Sequence, residues 1–254
     1  MLQPRAIPCL LLQGEGLVKT TRFKDPRYVG DPINAVRLFN DLQADELLIL
    51  DIAAARERRE PDFDRIADIA SEAFMPLGYG GGVRTVAHAR RLFTLGIEKV
   101  VITSAATEDP GLVAQLAHDF GSQSIVGGID VKRDWLRKPR VMAHGGATRT
   151  DHDVIAHARQ LAASGAGEIV LMSIDRDGTR EGYDLALIKE VSAAVGVPVV
   201  ACGGAGRLEH LAEAVQAGAA AAAAGSLFVY TGARHAVLIN YPSTAQLAAL
   251  FSAS

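Results

Sequence analysis

The chain has 254 residues, 49% hydrophobic and 22% charged, and its 26 basic and 29 acidic residues leave a net charge of −3. Those values describe a folded domain with a large core and, with no long basic block, exclude nucleic acid as the expected partner. The two cysteines, Cys9 and Cys202, show no CxxC spacing, which argues against a disulfide framework and a zinc site and fits a reducing compartment.

Along the chain, short apolar or β-branched runs predict strands at 6–12, 46–52, 75–79, 99–103, 124–130, 168–173, 198–202 and 219–225. Helical periodicity falls between them, at 87–95, 111–120, 153–163, 185–195 and 208–217. Strands alternating with helices over this length predict an α/β fold, a closed (β/α)₈ TIM barrel rather than an open sheet. No linker or low-complexity tail divides the chain, so 1–254 reads as one domain. The run 6–12 is too short for a signal segment, and the run 217–227 is about half a membrane span. The expectation is a soluble cytoplasmic protein with no membrane partner.

The chain also repeats itself. Asp51, Gly81, Ser104 and Leu11 each meet a counterpart about 120 residues on, in Asp175, Gly204, Ser226 and Asp130. The expectation is two half-barrels, roughly 1–122 and 123–254, related by a twofold axis along the barrel.

Candidate site residues fall at the C-terminal ends of the strands, where active sites of this fold sit. Gly81 and Gly82 follow strand 3, and Gly204 follows strand 7. Thr103-Ser104 follow strand 4, and Gly225-Ser226 follow strand 8. Glycine lets an anion approach the backbone, so the doubled pattern predicts two phosphate sites and a ligand with a phosphate at each end. The competing reading is that these glycines only serve tight turns. Asp130 ends strand 5 at the centre of the mouth and is the candidate general acid or base. Asp51, Asp175 and Asp177 also end strands, and orienting or structural roles both stand. Lys19, in a loop with Gly14 and Gly16, reads either as the cation of a mobile lid or as a solvated surface lysine. At the opposite end, Arg5, Glu46, Lys99 and Glu168 open strands 1, 2, 4 and 6, and can meet as a charged ring or remain solvated singly. No metal or cofactor is expected.

The segments Ile7-Pro8-Cys9-Leu10, Leu50-Asp51-Ile52, Gly80-Gly81-Gly82-Val83-Arg84, Phe120-Gly121-Ser122-Gln123, Asp175-Arg176-Asp177-Gly178-Thr179 and Cys202-Gly203-Gly204-Ala205-Gly206 resemble the cyclase subunit (HisF family) of imidazole glycerol phosphate synthase. The resemblance covers nearly the whole chain. It implies a lyase of histidine biosynthesis, with a HisH-like class I glutaminase docked on the N-terminal barrel face. Ammonia would pass Arg5, Glu46, Lys99 and Glu168, acting as a gate, to a bis-phosphorylated ribosyl substrate at the other mouth. It also implies a lid role for Lys19 and phosphate contacts at Gly81, Gly82, Thr103, Ser104, Asp177, Gly178, Gly204, Gly225 and Ser226.

The family reaction uses two aspartates, and here only Asp130 is present; Leu11 holds the other place and cannot transfer a proton. Thr103, Met172 and Cys202 also depart from the usual Asn, Thr and Ser. The stretch Cys9-Leu10-Leu11-Leu12 and the ending Gly225-Ser226-Leu227-Phe228 resemble a divergent branch linked to surface-polysaccharide (lipopolysaccharide) sugars. That resemblance implies an ammonia-relay subunit working with an ATP-dependent sugar amidotransferase to amidate an acetamido sugar. The alternatives are a working histidine-pathway cyclase and the related phosphoribosyl isomerase, in which the charged ring has no purpose.

Overall fold

The computed structural model describes residues 4–232 and 235–252. Eight parallel strands close into a barrel: β1 (Arg5–Gln13), β2 (Leu47–Asp51), β3 (Leu77–Gly80), β4 (Lys99–Ile102), β5 (Ile125–Arg133), β6 (Glu168–Ser173), β7 (Val199–Cys202) and β8 (Ala221–Ala224). Each pairs with the next, and β8 pairs with β1 from Arg5↔Ala221 to Pro8↔Ala224, which leaves no open edge.

Helices cover the outside: α1 (Pro32–Asp41), α2 (Phe63–Ser71), α3 (Val86–Thr94), α4 (Pro110–Phe120), α5 (Val154–Ala163), α6 (Leu185–Ala194), α7 (Leu208–Gln216) and α8 (Thr244–Ser252). Their starts are written in the sequence. Asp31, Asp62, Thr85, Asp153 and Asp184 each accept the backbone N–H three residues on. The apolar stripe of each helix then packs on the barrel's outer surface, where Phe39, Leu92, Leu116 and Val191 are fully buried.

The barrel interior is a second, smaller cluster that includes Ile7, Cys9, Leu11, Leu48, Val101, Val126, Val170, Met172, Val200 and Cys202. It is packed and apolar, as the fold requires. β8 reads Ala-Ala-Ala-Ala, a helix-favouring composition, yet all four residues are buried strand. Its neighbours β7 and β1 supply a ladder on both sides.

Two strands run past the barrel rim. β1 continues to Gln13 and turns back through Gly16–Thr21, which pairs in turn with Lys24–Gly30. β5 continues to Arg133 and pairs with Pro139–Ala143. Asp130 therefore lies within a strand rather than at its end. Lys19 lies on a hairpin strand rather than in an irregular loop. The hairpin hydrogen bonds satisfy backbone groups that an open lid would expose.

Candidate functional site

A cavity of about 120 Å³, open at its rim, occupies the C-terminal mouth. Leu11, Leu50, Val101 and Met172 form its apolar floor and walls, and Asp130, Thr103, Ser104, Gly81 and Gly82 bring polar atoms to it. The Asp130 carboxyl group has no hydrogen-bond partner among the described residues. Burial, reinforced by the nearby charge of Asp177, pushes its carboxyl up to about 7. A carboxyl poised near neutrality can both give and take a proton. Across the same cavity stands Leu11, 5% exposed. It has no proton to exchange.

Gly81 and Gly82 both adopt positive φ, and a Cβ on Gly81 would stand 2.5 Å from the Asp51 carbonyl oxygen. Thr103 rests over Gly128, where an added Cβ would meet its hydroxyl at 2.1 Å. The Ser104 hydroxyl accepts the His144 N–H at 2.8 Å.

The second glycine cluster forms a smaller pocket, with Gly178, Gly204, Gly225 and Ser226 in its wall. Lys19 is 6% exposed, so a solvated surface lysine is ruled out. Its Nζ donates to the Cys9 carbonyl at 2.6 Å and sits where a Cβ on Gly225 would fall. Burial lowers its pKa against the pull of Cys9 and Asp177. The hairpin is pinned down by Asp177, which accepts from the Thr20 hydroxyl at 2.7 Å and the Phe23 N–H at 3.1 Å. Burial still raises the Asp177 carboxyl. The Asp177 side chain thus holds the hairpin while its loop lines the pocket. Beside Lys19 the Cys9 and Cys202 thiols share a hydrogen bond, which lowers Cys9 and raises Cys202.

Asp51 and Asp175 are spent on structure. Asp51 accepts from the N–H groups of Ala53 and Ala54 and from Arg59. Asp175 accepts the Arg133 N–H.

At the other end of the barrel the four charges close a ring. Arg5 bridges Glu46 and Glu168, and the Lys99 ammonium reaches Glu46 at 2.9 Å and Glu168 at 2.9 Å. The two carboxylates are buried and the two cations are partly so. Burial opposes the charge on Arg5, but Glu168 and Glu46 outweigh it and raise its pKa. Every charge has two opposite neighbours, which is the arrangement that makes burial tolerable.

A family model described as histidine biosynthesis protein matches residues 5–234. The chain belongs to the HisF family. A Pseudomonas aeruginosa relative, provisionally named imidazole glycerol phosphate synthase subunit hisF2, is 48% identical over 97% of this chain and 99% of its own. A Vibrio vulnificus relative, provisionally named subunit hisF3, is 48% identical over 97% of this chain and 95% of its own. The imidazole glycerol phosphate synthase subunit HisF of Myxococcus xanthus is 48% identical over 88% of each chain.

Within the HisF family frame, the structure brings Asp130, Leu11, Thr103 and the first glycine pair to one cavity, and Lys19 with the second glycine cluster to another. Sequence reasoning missed Arg56 and Arg84, which also line the first cavity. Arg84 stands in the glycine motif itself, three residues after Gly81, so its signal was available. Arg56 sits on the turn Ala54–Glu57 after β2, with no motif around it.

Proposed function

We propose that this chain is the synthase-type subunit of a glutamine amidotransferase that relays ammonia, with its own cyclase chemistry impaired. The observation that carries the reading is Leu11 facing Asp130 across a mouth whose glycine turns and charged ring are otherwise in place. A class I glutaminase on the N-terminal face would release ammonia at the ring of Arg5, Glu46, Lys99 and Glu168. Above the ring the interior is lined by groups such as Leu48, Val126, Val170 and Val200. Neutral ammonia crosses such a lining, whereas ammonium would forfeit several kcal/mol of hydration, on the order of any unpaired buried ion. Lys19 and the glycine turns would hold phosphate groups of the ligand. Asp130 would exchange one proton, and Leu11 offers no carboxylate for a second.

The finer reading is that the ammonia amidates an acetamido sugar of a surface polysaccharide, through an ATP-dependent amidotransferase. Numbered subunit names among the relatives suit a diverged second copy. The second reading is a working cyclase of histidine biosynthesis, favoured by an Asp130 poised near neutrality. Steady-state cyclisation of the bis-phosphorylated ribosyl substrate with free ammonium separates the two. The relay reading expects little or no product; turnover like that of an ordinary cyclase overturns it.

A further inference from the structure

The two glycine cradles are not supplied with charge in the same way. At the second, Lys19 enters from the hairpin after β1, one residue past Val18, which pairs with Leu11. The hairpin after β5 repeats that geometry: Met142 pairs with Asp130, and the residue past it is Ala143. A buried alanine cannot reach the first cradle, so the repeat leaves that side without its lysine.

Arg56 stands there instead. It lines the cavity with Gly81, Gly82 and Ser104. One guanidinium nitrogen, Nη2, donates to the Gly145 carbonyl at 2.8 Å and the Phe23 carbonyl at 3.2 Å. Gly145 lies at φ 61°, and a Cβ on it would stand 3.0 Å from the Arg56 Nε, so the absent side chain makes room for the guanidinium. Nε and Nη1 have no hydrogen-bond partner among the described residues, and neither Arg56 nor Arg84 forms an ion pair among them. Arg207, which holds the place of Arg84 in the second half, spends its guanidinium on His210 and Glu213.

We infer that Arg56 is the ligand-binding cation of the first cradle and takes there the role that Lys19 has at the second, for a phosphate monoester dianion. Its free edge meets the anion while its Nη2 holds Phe23 of one hairpin and Gly145 of the other. Occupancy of the first cradle is thereby tied to closure of both loops over the mouth. The inference rests on the reading of Gly81, Gly82 and Ser104 as an anion site.

Backbone-amide NMR during titration with inorganic phosphate tests it, with hydrogen exchange read at residues 22–25 and 144–147. In the wild-type chain phosphate shifts Gly81, Gly82 and Ser104 as one set and Gly204, Gly225 and Ser226 as another, and slows exchange in both loops. Arg56→Ala is expected to weaken the first set about tenfold or more, as loss of a charge-assisted hydrogen bond does, and to abolish the slowing. The second set keeps its affinity. Lys19→Ala gives the opposite pattern. Arg56→Lys, which keeps the charge but not the fork, retains part of the affinity without the slowing. Arg56→Ala that binds phosphate at the first set as tightly as wild type, or that weakens both sets equally, overturns the inference. A wild-type chain in which phosphate moves neither set removes the anion-site reading and this inference with it, a pattern distinct from either.

Discussion

Leu11 and Asp130 hold the same place in the two halves of the barrel: Leu11 pairs with Leu50 on β2, Asp130 pairs with Met172 on β6, and both face one cavity. One positioned acid–base group contributes about 10²–10⁴-fold in rate. On the relay reading proposed above, its absence at Leu11 is expected to raise the cyclisation barrier by about 3 kcal/mol or more. Leu11→Asp is expected to raise the rate with ammonium as nitrogen source by at least about 10²-fold, short of full recovery because Thr103, Met172 and Cys202 also differ. Asp130→Asn, alone or added to Leu11→Asp, is expected to remove whatever turnover is present. Equal rates for wild type and Leu11→Asp would show that the missing carboxylate is not what limits this chain.

Much of this geometry was legible beforehand, and the reasons differ by element. The eight strands were readable because seven of them are apolar or β-branched runs between amphipathic stretches. The eighth, 219–225, reads as a small apolar run in that alternation, although Ala221–Ala224 favours a helix in isolation. The extension of β1 and β5 into hairpins was not legible. Gly14 and Gly16 read as a loop, and nothing local shows that Thr20 will find Asp177, 157 residues away. The burial of Lys19 follows from that distant contact. The closed ring was open to doubt for the same reason: Arg5, Glu46, Lys99 and Glu168 are ordinary strand-edge charges until barrel closure brings them together.

The ring makes a prediction about stability and coupling together. Lys99→Met removes the one cation that bridges both carboxylates from the side opposite Arg5. Two buried carboxylates then share a single guanidinium, and the expected loss is about 3 kcal/mol. Lys99→Arg restores charge but not shape, and is expected to lose less. Urea denaturation reads the first effect. With a glutaminase partner bound, ammonium appearing in bulk solvent per glutamine hydrolysed reads the second, and should rise in Lys99→Met. No change in either quantity would mean that the ring is neither structural nor a gate.

Asp130 should leave a mark on the pH dependence of stability. Its folded pKa, about 7, lies above the ordinary carboxylate range because burial and Asp177 disfavour the charge. The folded chain holds this proton more tightly than the unfolded one. Its stabilising contribution is complete below about pH 4 and is lost as pH rises through 7. Asp130→Asn lacks that loss. Relative to wild type the variant is expected to gain on the order of 2 kcal/mol between pH 5 and pH 8, a figure reduced for water reaching the open mouth. Guanidinium denaturation at the two pH values measures the difference, and a constant offset between the chains would contradict it.

His157 predicts the opposite slope. It is 1% exposed on α5, and among the described residues neither ring nitrogen makes a hydrogen bond of good geometry, although the Gln160 side chain lies close enough to oppose the lowering weakly. Its ring stacks on His152 at 5.0 Å, and the His152 ring in turn meets the Thr107 carbonyl. Burial first, and His152 second, lower the His157 pKa to about 4. The unfolded chain, with a histidine near 6.5, therefore binds the proton more readily than the folded one. Stability supplied by the neutral ring is complete above about pH 6.5 and is lost as pH falls toward 4. The expected loss attributable to this residue is about 2 kcal/mol between pH 7 and pH 5. His157→Phe fills a similar volume and cannot be protonated, so it should flatten that part of the acid limb. It should also match or exceed wild-type stability at pH 7, because two unsatisfied buried nitrogens disappear. His152→Gln removes the neighbour but keeps the buried imidazole, so it should preserve most of the acid sensitivity. Thermal melts of the three chains from pH 7 down to pH 4 provide the comparison. If His157→Phe loses stability with acid as steeply as wild type, the sensitivity lies elsewhere, and the buried imidazole is a passive part of the helix packing.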